Sequence, residues 1–576
     1  MRTHFSLVLL GFASFAVAQV GATSRVSVTT AGVQGNGGSW SPGFEATGRY
    51  VVFQSQANNL VAGDANGFVD VFVKDRSTGA TTIESVGALG IQGNAISEAA
   101  TISGQGQFVA FQSNASNLVA GDFNGVADCF VRDRTLGITT RISVAWNGAE
   151  ADAGCFYPWI STNGRYVTFY SAATNLVQGD MNGVTDIFVR DLINGTTERV
   201  SVSQGGAEGN GRSEFASTSG DGRYVVFHSG ADTLAANDLN GVWDVLVKDT
   251  LTGEVHLASV TSAGIQGNGH SAGAGISETG RYVVFSTEAT NLDGPDNNGV
   301  KDSFIHDLDT GVTERISVGA GGIEGNGESI GPVVSQDGRI IAFSSMASNL
   351  VASDTNGTWD VLLRDRLISA TSLVSRNTNG TQGNGESHGP VVSSSGLHIA
   401  FQSLASNLIS GDTNNSLDSF VHNRQAWIQP TSYTLFRGIL IAGNLQSLSF
   451  SDDERMILQP GIVFTSGEAP VQLILHGSSP FTTSTIYHVE IEWQASSTNI
   501  SQILDVWNFV NSSYTTIAVT PATLVDSTQL IFVNPSEEFI GPQGELQARL
   551  SYRAVGPVFA YPWKVRIDRA RFIISP

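Results

Sequence analysis

From residue 24 to about 425, short runs of β-branched and aromatic residues alternate with polar, glycine-rich stretches. One cycle shows the elements. Arg49-Tyr50-Val51-Val52-Phe53, just after Gly48, has the composition of a strand. Residues 54–69 are polar and turn-rich, and Asp70-Val71-Phe72-Val73-Lys74-Asp75 predicts a second strand. Ser77-Thr78-Gly79 turns the chain into a third strand from Thr81 to Val86. A glycine-rich loop, Gly90-Ile91-Gln92-Gly93-Asn94, leads to a fourth at about Ala99 to Ser103. Nowhere does the cycle show the 3.6-residue apolar period of an amphipathic helix. The expectation is one four-stranded antiparallel sheet per cycle.

The cycle recurs seven times at a constant step of 58 residues. Its glycine falls at Gly48, Gly106, Gly164, Gly222, Gly280, Gly338 and Gly396. Such a period marks units that bury their apolar faces only against their neighbours, and four-stranded sheets repeated radially are propeller blades. The ends favour a closed ring over an open solenoid. The last copy has Leu397-His398-Ile399-Ala400-Phe401 and Asp418-Ser419-Phe420-Val421, but no good strand afterwards. Ser24-Arg25-Val26-Ser27-Val28, in register with Thr140-Arg141-Ile142-Ser143-Val144, supplies it from the other end. The fold class expected is all-β: a seven-bladed β-propeller whose N-terminal strand closes the last blade and removes the open edges, followed by a C-terminal β-sandwich.

Ser335-Gln336-Asp337-Gly338-Arg339-Ile340-Ile341-Ala342-Phe343-Ser344-Ser345, with the similar Ser219-Gly220-Asp221-Gly222-Arg223-Tyr224-Val225-Val226-Phe227, resembles the TolB-type, WD40-like (PD40) propeller repeat of secreted bacterial proteins. The resemblance covers about 24–425. It implies the propeller fold, but for function only a range: binding platforms, periplasmic scaffolds, peptidase gates and a few lyases, since fold does not fix function.

Past about 431 the period stops. Tyr433-Thr434-Leu435-Phe436, Val471 to Leu475, Tyr487 to Trp493, Leu530 to Val533, Leu546 to Tyr552 and Lys564 to Ile574 read as strands of one sandwich or jelly roll. At the other end, Met1-Arg2-Thr3-His4, an apolar Phe5 to Phe15 and Ala16-Val17-Ala18 before Gln19 have the pattern of a cleaved secretory signal, too short to span a membrane. The expected division is an export signal at 1–18, the propeller at 24–430 and the sandwich at 431–576. The expected location is extracellular, cell-surface or periplasmic, without a transmembrane segment. A net charge of −22 and a pI near 4.7 argue against a nucleic-acid partner. Cys129 and Cys155 lie in adjacent copies, where they either form a disulfide or stay as two buried thiols.

Among residues that carry chemistry, the acidic turn comes first. It recurs as Asp64, Asn66, Asp70; Asp122, Asn124, Asp128; Asp180, Asn182, Asp186; Asp238, Asn240, Asp244; Asp296, Asn298, Asp302; Asp354, Asn356, Asp360; and Asp412, Asn414, Asp418. Carboxylate and amide oxygens in a tight loop suit Ca²⁺. The same residues also serve ordinary turns, because Asp and Asn bond their own backbone and Asn-Gly takes positive φ readily. A motif shared by every copy behaves as scaffolding, so the turn role is the simpler reading and Ca²⁺ is the candidate cofactor.

Gly269-His270-Ser271-Ala272-Gly273, Gly327-Glu328-Ser329-Ile330-Gly331 and Gly385-Glu386-Ser387-His388-Gly389 match the G-x-S-x-G elbow of hydrolases. They share one repeat position, occupied by Ser39, Ser97 and Ser213 elsewhere, and no helix follows, so they read as scaffold. His270, His306, His388, His398, His422 and His488 share no metal-ligand spacing. The tail carboxylates Glu490, Glu492, Asp505, Glu537 and Glu538 form no pair that the sequence defines. Phe53 and its six counterparts read as blade core. Where copies differ, copy 3 carries Cys155-Phe156-Tyr157-Pro158-Trp159; Trp40 and Trp159 fall near the proposed innermost strand, and Trp243 and Trp359 share one position. Such aromatics either pack or stack on a sugar or peptide.

Together these features point to an exported, non-enzymatic binding or structural scaffold presenting loops to a protein or glycan ligand. The alternative is a polysaccharide lyase or glycoside hydrolase at the channel mouth. That alternative requires an inward cluster of His, Arg, Glu or Asp special to one or two blades, and no such cluster stands out in the sequence. A peptidase gate would need a catalytic partner domain, and the tail shows no α/β alternation.

Overall fold

The computed structural model describes residues 22–352, 354–367, 369–424, 426–428, 432–437, 439–442, 456–459, 469, 471–478, 486–496, 500–523, 527–533, 537–541, 545–554 and 564–575. The expected export signal at 1–18 lies outside the described residues. The chain is almost wholly β and forms a β-propeller. Seven four-stranded antiparallel sheets follow one another, then a six-stranded and a five-stranded sheet.

In sheet 1 the order from inside out is Ser39–Phe44, Tyr50–Ser55, Asp70–Asp75 and Thr81–Ile83. Sheets 2 to 7 repeat this arrangement at 58-residue steps. The strand expected fourth in the cycle is the inner one, and it begins slightly earlier, at Ser97 in sheet 2. The outer strand ends at Ile83 rather than Val86, because Val86 bridges Gln92 as the chain crosses to the next sheet. The inner strands touch in cyclic order, with Ser387–Val392 of sheet 7 against Ser39–Phe44 of sheet 1.

The second and third strands explain the unbroken apolar runs. Val51, Val52, Phe53, Val71, Phe72 and Val73 are all fully buried, because both faces of each sheet are covered by neighbouring sheets. Phe53 lies opposite Phe72 with ring centroids 5.8 Å apart, and Phe111–Phe130 and Phe169–Phe188 repeat that spacing. Burying one such ring is worth about 1.5–3 kcal/mol. The ion pairs that tie the two strands at one end, such as Arg49–Asp75 at 2.8 Å, leave the arginine 42% exposed, and pairs of that kind are worth about 0–1 kcal/mol. Apolar burial holds the ring, and the ion pairs set its register. The recurring turn glycine has a packing reason as well as a conformational one. Gly106 has φ +70°, and a Cβ there would stand 2.4 Å from the Tyr50 ring of the preceding sheet.

Sheet 7 takes its outer strand from the start of the chain. Ala22–Arg25 pairs antiparallel with Asp418–Asn423, Arg25 opposite Phe420, and Val26 N–H donates to Ser419 O at 2.8 Å. Ser27 Oγ donates to Asp418 at 2.7 Å, as Ser85 Oγ donates to Asp70 at 2.6 Å in sheet 1. The borrowed strand therefore reproduces the ordinary outer strand in detail. A disulfide joins Cys129, on the third strand of sheet 2, to Cys155, on the inner strand of sheet 3. The free-thiol alternative is thereby excluded.

The six-stranded sheet of the C-terminal region runs Ile439–Ala442, Met456–Gln459, Val565–Ser575, Ile486–Ala495 and Ser527–Val533, and Ala426–Ile428 also pairs with Val565–Ser575. The five-stranded sheet runs Ser432–Arg437, Val471–Ser478, Glu545–Ala554, Ile500–Asn508 and Ser513–Pro521. Both contribute to one apolar cluster that includes Trp493, Tyr552, Leu504 and Phe572.

Two outcomes test this architecture. By the alternation of an antiparallel ladder, the Ser24 N–H faces Val421. Ser24→Pro removes that bond from the closing strand and is expected to cost about 1–3 kcal/mol, seen as a lower urea midpoint. An unchanged midpoint contradicts closure. Cys129→Val with Cys155→Ser restores the residues that other copies carry (Val71, Ser97). The double variant is expected to fold, to lose about 2–4 kcal/mol and to be insensitive to reductant. The parent should fall to the same level when reduced.

Candidate functional site

Each acidic turn joins the second strand to the third, and the structure brings its three expected residues together. Asn66 Oδ1 accepts from Phe68 N–H at 2.9 Å, while its Nδ2 donates to Asp70 at 2.7 Å and to Gly93 O at 3.1 Å. The other turns repeat the pattern. The Nδ2 groups of Asn124 and Asn182 donate to Asp128 and Asp186, and those of Asn240, Asn298, Asn356 and Asn414 donate to a carbonyl of the following loop. The second aspartate is buried in every turn: Asp70, Asp128, Asp186, Asp244, Asp302, Asp360 and Asp418.

Further residues complete each site, and no local motif announced them. In sheets 1, 4, 6 and 7 a glutamine Nε2 reaches toward the first aspartate; Gln266, for example, donates to Asp238 and Asp244, both at 2.8 Å. Gln382 does the same for Asp354 and Asp360 at 3.0 and 2.7 Å, and Gln34 for Asp412 and Asp418 at 2.9 and 3.0 Å. In other sites a glutamate takes the glutamine's position and an arginine enters. Arg141 Nη1 lies 3.5 Å from Asp122, 3.5 Å from Asp128 and 2.7 Å from Glu150. Arg199 likewise meets Asp180, Asp186 and Glu208, and Arg315 meets Asp302 and Glu324. Arginine and glutamate enter together: where the arginine position holds Ile83, Leu257 or Leu373, the glutamate position holds Gln92, Gln266 or Gln382. The added cation is matched by an added anion, so these six sites keep one formal charge. Arg25, beside Asp412 and Asp418, is the exception, since it is paired with Gln34.

Burial shifts these acids. It pushes Asp70, Asp180, Asp302 and Asp360 up to about 6. At the opposite end of the strands, hydrogen bonds from Arg165, Arg223 and Arg281 hold Asp191, Asp249 and Asp307 at about 2.

The inner strands carry a second feature. Each has a bulge, and the residue at it has positive φ: Ser41, Ala99, Tyr157 (49°), Phe215 (51°), Gly273, Gly331 and Gly389. Glycine accepts this backbone without cost; a bulky side chain does not. Sheets 3 and 4 nevertheless place a tyrosine and a phenylalanine there. The Tyr157 and Phe215 rings lie 4.6 Å apart, and Tyr170 lies 5.8 and 5.4 Å from them. The chain of rings continues from Phe215 to His228 and on to Trp243. Tyr157 is 47%, Phe215 38% and Trp159 39% exposed. Polar pairs flank the rings: Gln112 Nε2 donates to Glu98 at 3.0 Å and Arg212 meets Glu214 at 2.6 Å, while Gln112 Oε1 accepts from Tyr157 N–H at 2.9 Å. The acidic turns of sheets 2 to 4 lie at the same edge of the ring, and their second residues are Phe123, Met181 and Leu239, all exposed.

The remaining expected residues go elsewhere. Ser271, Ser329 and Ser387 are buried and bonded to Thr287, Ser345 and Ser403, with Ser39, Ser97 and Ser213 in equivalent pairs. Of the six histidines, His306, His388, His398, His422 and His488 fall on five different strands, and His270 lies just before the inner strand of sheet 5. Trp40 is on the inner strand of sheet 1, and Trp359 packs on His388. Asp505 pairs with Arg549 and Glu538 accepts from Asn508; Glu492 is half-buried, and the side chains of Glu490 and Glu537 lie outside the described residues. Among the described residues no helix is long and apolar enough to cross a membrane.

Solved structures align with parts of the chain at low similarity. A putative TolB from Agrobacterium tumefaciens aligns at 16% identity over 48% of this chain and 79% of its own, with a TM-score of 0.31. A xyloglucanase from Xanthomonas campestris aligns at 11% identity over 80% of this chain and 65% of its own, with a TM-score of 0.37. An exo-β-1,3-galactanase from Phanerochaete chrysosporium aligns at 10% identity over 85% and 98%, with a TM-score of 0.25. At these values no residue role transfers. No protein-family model and no curated protein sequence matches the chain.

These shifts couple folding to pH in opposite directions. Between about pH 4 and 6 the folded chain holds protons on Asp70, Asp180, Asp302 and Asp360 that the unfolded chain has released, so stability falls as pH rises through that window. Asp191, Asp249 and Asp307 act oppositely, and their contribution is lost as pH falls from about 4 toward 2. Burial acts the other way on His228, His422 and His488, which it holds at about 4, 3 and 4, so their contribution is lost as pH falls below about 6.5. Melting of the parent and of Asp360→Asn is therefore compared in EDTA across pH 4–7: the parent is expected to lose stability relative to the variant as pH rises, and a difference that does not change with pH contradicts the assignment.

Proposed function

We propose that this chain is an exported, non-enzymatic binding module: a rigid propeller that offers one sector of one edge to a protein or glycan partner, followed by a C-terminal β-sandwich at 431–576. The asymmetry of the inner strands carries the reading. Seven copies share their scaffold residues, and sheets 3 and 4 alone display Tyr157 and Phe215 at the bulge. Residues on strands, rather than on long loops, give such a platform fixed geometry. Export is supported by the pattern at Met1 to Gln19 and by the Cys129–Cys155 bridge, which suits an oxidising compartment. On this reading the acidic turns are braces, since amide or guanidinium donors already reach their carboxylates.

Two measurements test it. The chain is incubated with soluble polysaccharides, and both retention and released reducing or unsaturated ends are followed. Retention without release is expected; release marks the lyase or hydrolase alternative. Melting is then compared in EDTA and in millimolar Ca²⁺, with no change expected. A Ca²⁺-dependent rise would instead make Asp122, Asp128 and Glu150, and Asp296, Asp302 and Glu324, ion sites.

A further inference from the structure

We infer that Tyr157, Tyr170 and Phe215 form a ledge that binds a neutral polysaccharide chain, an inference that rests on the binding-module reading and assigns its ligand. Three observations carry it. First, the rings stand on strained backbone. A left-handed conformation costs a non-glycine residue about 1–2 kcal/mol; sheets 1 to 4 hold it, with the small Ser41 and Ala99 in the first two and the bulky Tyr157 and Phe215 in the next two, where the three other copies use glycine. Strain of this kind concentrates at ligand sites.

Second, the ledge combines apolar faces with planar hydrogen-bonding groups. Tyr157 and Phe215 remain more than a third exposed; Glu214, which meets Arg212, is the strand neighbour of Phe215, and Gln112 of sheet 2, which donates to Glu98, accepts from the Tyr157 N–H. A pyranose ring presents an apolar C–H face to an aromatic ring and hydroxyls at its rim, which carboxylate, amide and guanidinium groups bind in plane. A folded protein partner would need roughly 800 Å² on this side, and three rings over two sheets make a narrow strip suited to a chain. Third, the charge selects against anions. The net charge of −22 and the adjacent Glu98 and Glu214 repel an acidic polymer, whereas a neutral one meets no such cost.

The repeat supplies its own variants. Tyr157→Gly with Phe215→Gly installs the residue found at Gly273, Gly331 and Gly389. Tyr170→Gln installs the residue found at Gln54 and Gln112, where the Gln54 side chain accepts from Ala99 N–H at 2.7 Å. Parent and variants are run by affinity electrophoresis in gels containing galactomannan, hydroxyethylcellulose, laminarin or dextran, with polygalacturonate as the acidic control, and are melted in parallel. The parent should be retarded by at least one neutral polymer and not by polygalacturonate. Both variants should lose at least tenfold in affinity while melting within a few degrees of the parent, because the substitutions relieve strain or copy a working sheet. The inference is overturned if no neutral polymer retards the parent, if polygalacturonate retards it more strongly, or if folded variants bind as the parent does. Retardation accompanied by release of oligosaccharides supports the ledge while overturning the non-enzymatic reading.

Discussion

Each sheet of the ring is buried on both faces, and only neighbouring sheets can cover them. Val51 and Val52 of sheet 1 are fully inaccessible because sheets 7 and 2 pack against them. Sheet 1 therefore depends on sheet 7 being complete, and sheet 7 is complete only when Ala22–Arg25 fills its outer position. The polar network follows from this geometry. Buried serine–aspartate pairs such as Ser85 with Asp70 and Ser259 with Asp244 recur from sheet to sheet, and they are bonded because an unpaired polar group there would cost about 1–3 kcal/mol.

The seven copies let one site be compared with another inside a single molecule. Positions that agree, such as the stacked phenylalanines, serve burial. Positions that change together, such as Arg141 with Glu150 against Leu257 with Gln266, keep a buried site in charge balance by alternative means. Positions that change alone against the demands of the backbone, such as Tyr157 and Phe215, need an explanation outside the fold. The functional reading rests on this third kind.

Most of the ring was legible because its period is constant and its strands carry apolar runs with glycine at the turns. The completing strand was legible from register, since Arg25 falls where Arg141 and Arg199 do. The Glu150 and Gln266 class was not, because it lies far along the chain from the turn it serves and meets it only through the fold. The bulge was hidden too, because an inner strand such as Ser-Glu-Phe-Ala-Ser-Thr at 213–218 carries no glycine to mark it. In the tail, Ile500–Asn508 escaped notice because polar residues occupy buried positions; Gln502 is fully buried and donates to the Tyr552 hydroxyl at 2.8 Å.

Closure by the first strand is the claim on which the rest stands, and native-state hydrogen exchange tests it most directly. The amides of Ser24 and Val26 should exchange as slowly as those of Val71 and Phe72 in the core of sheet 1, because all open only when the ring unfolds. Exchange of Ser24 and Val26 as rapid as that of the exposed turn at Gly32, with Val71 and Phe72 still protected, would show that the ring holds without its first strand and would contradict the account.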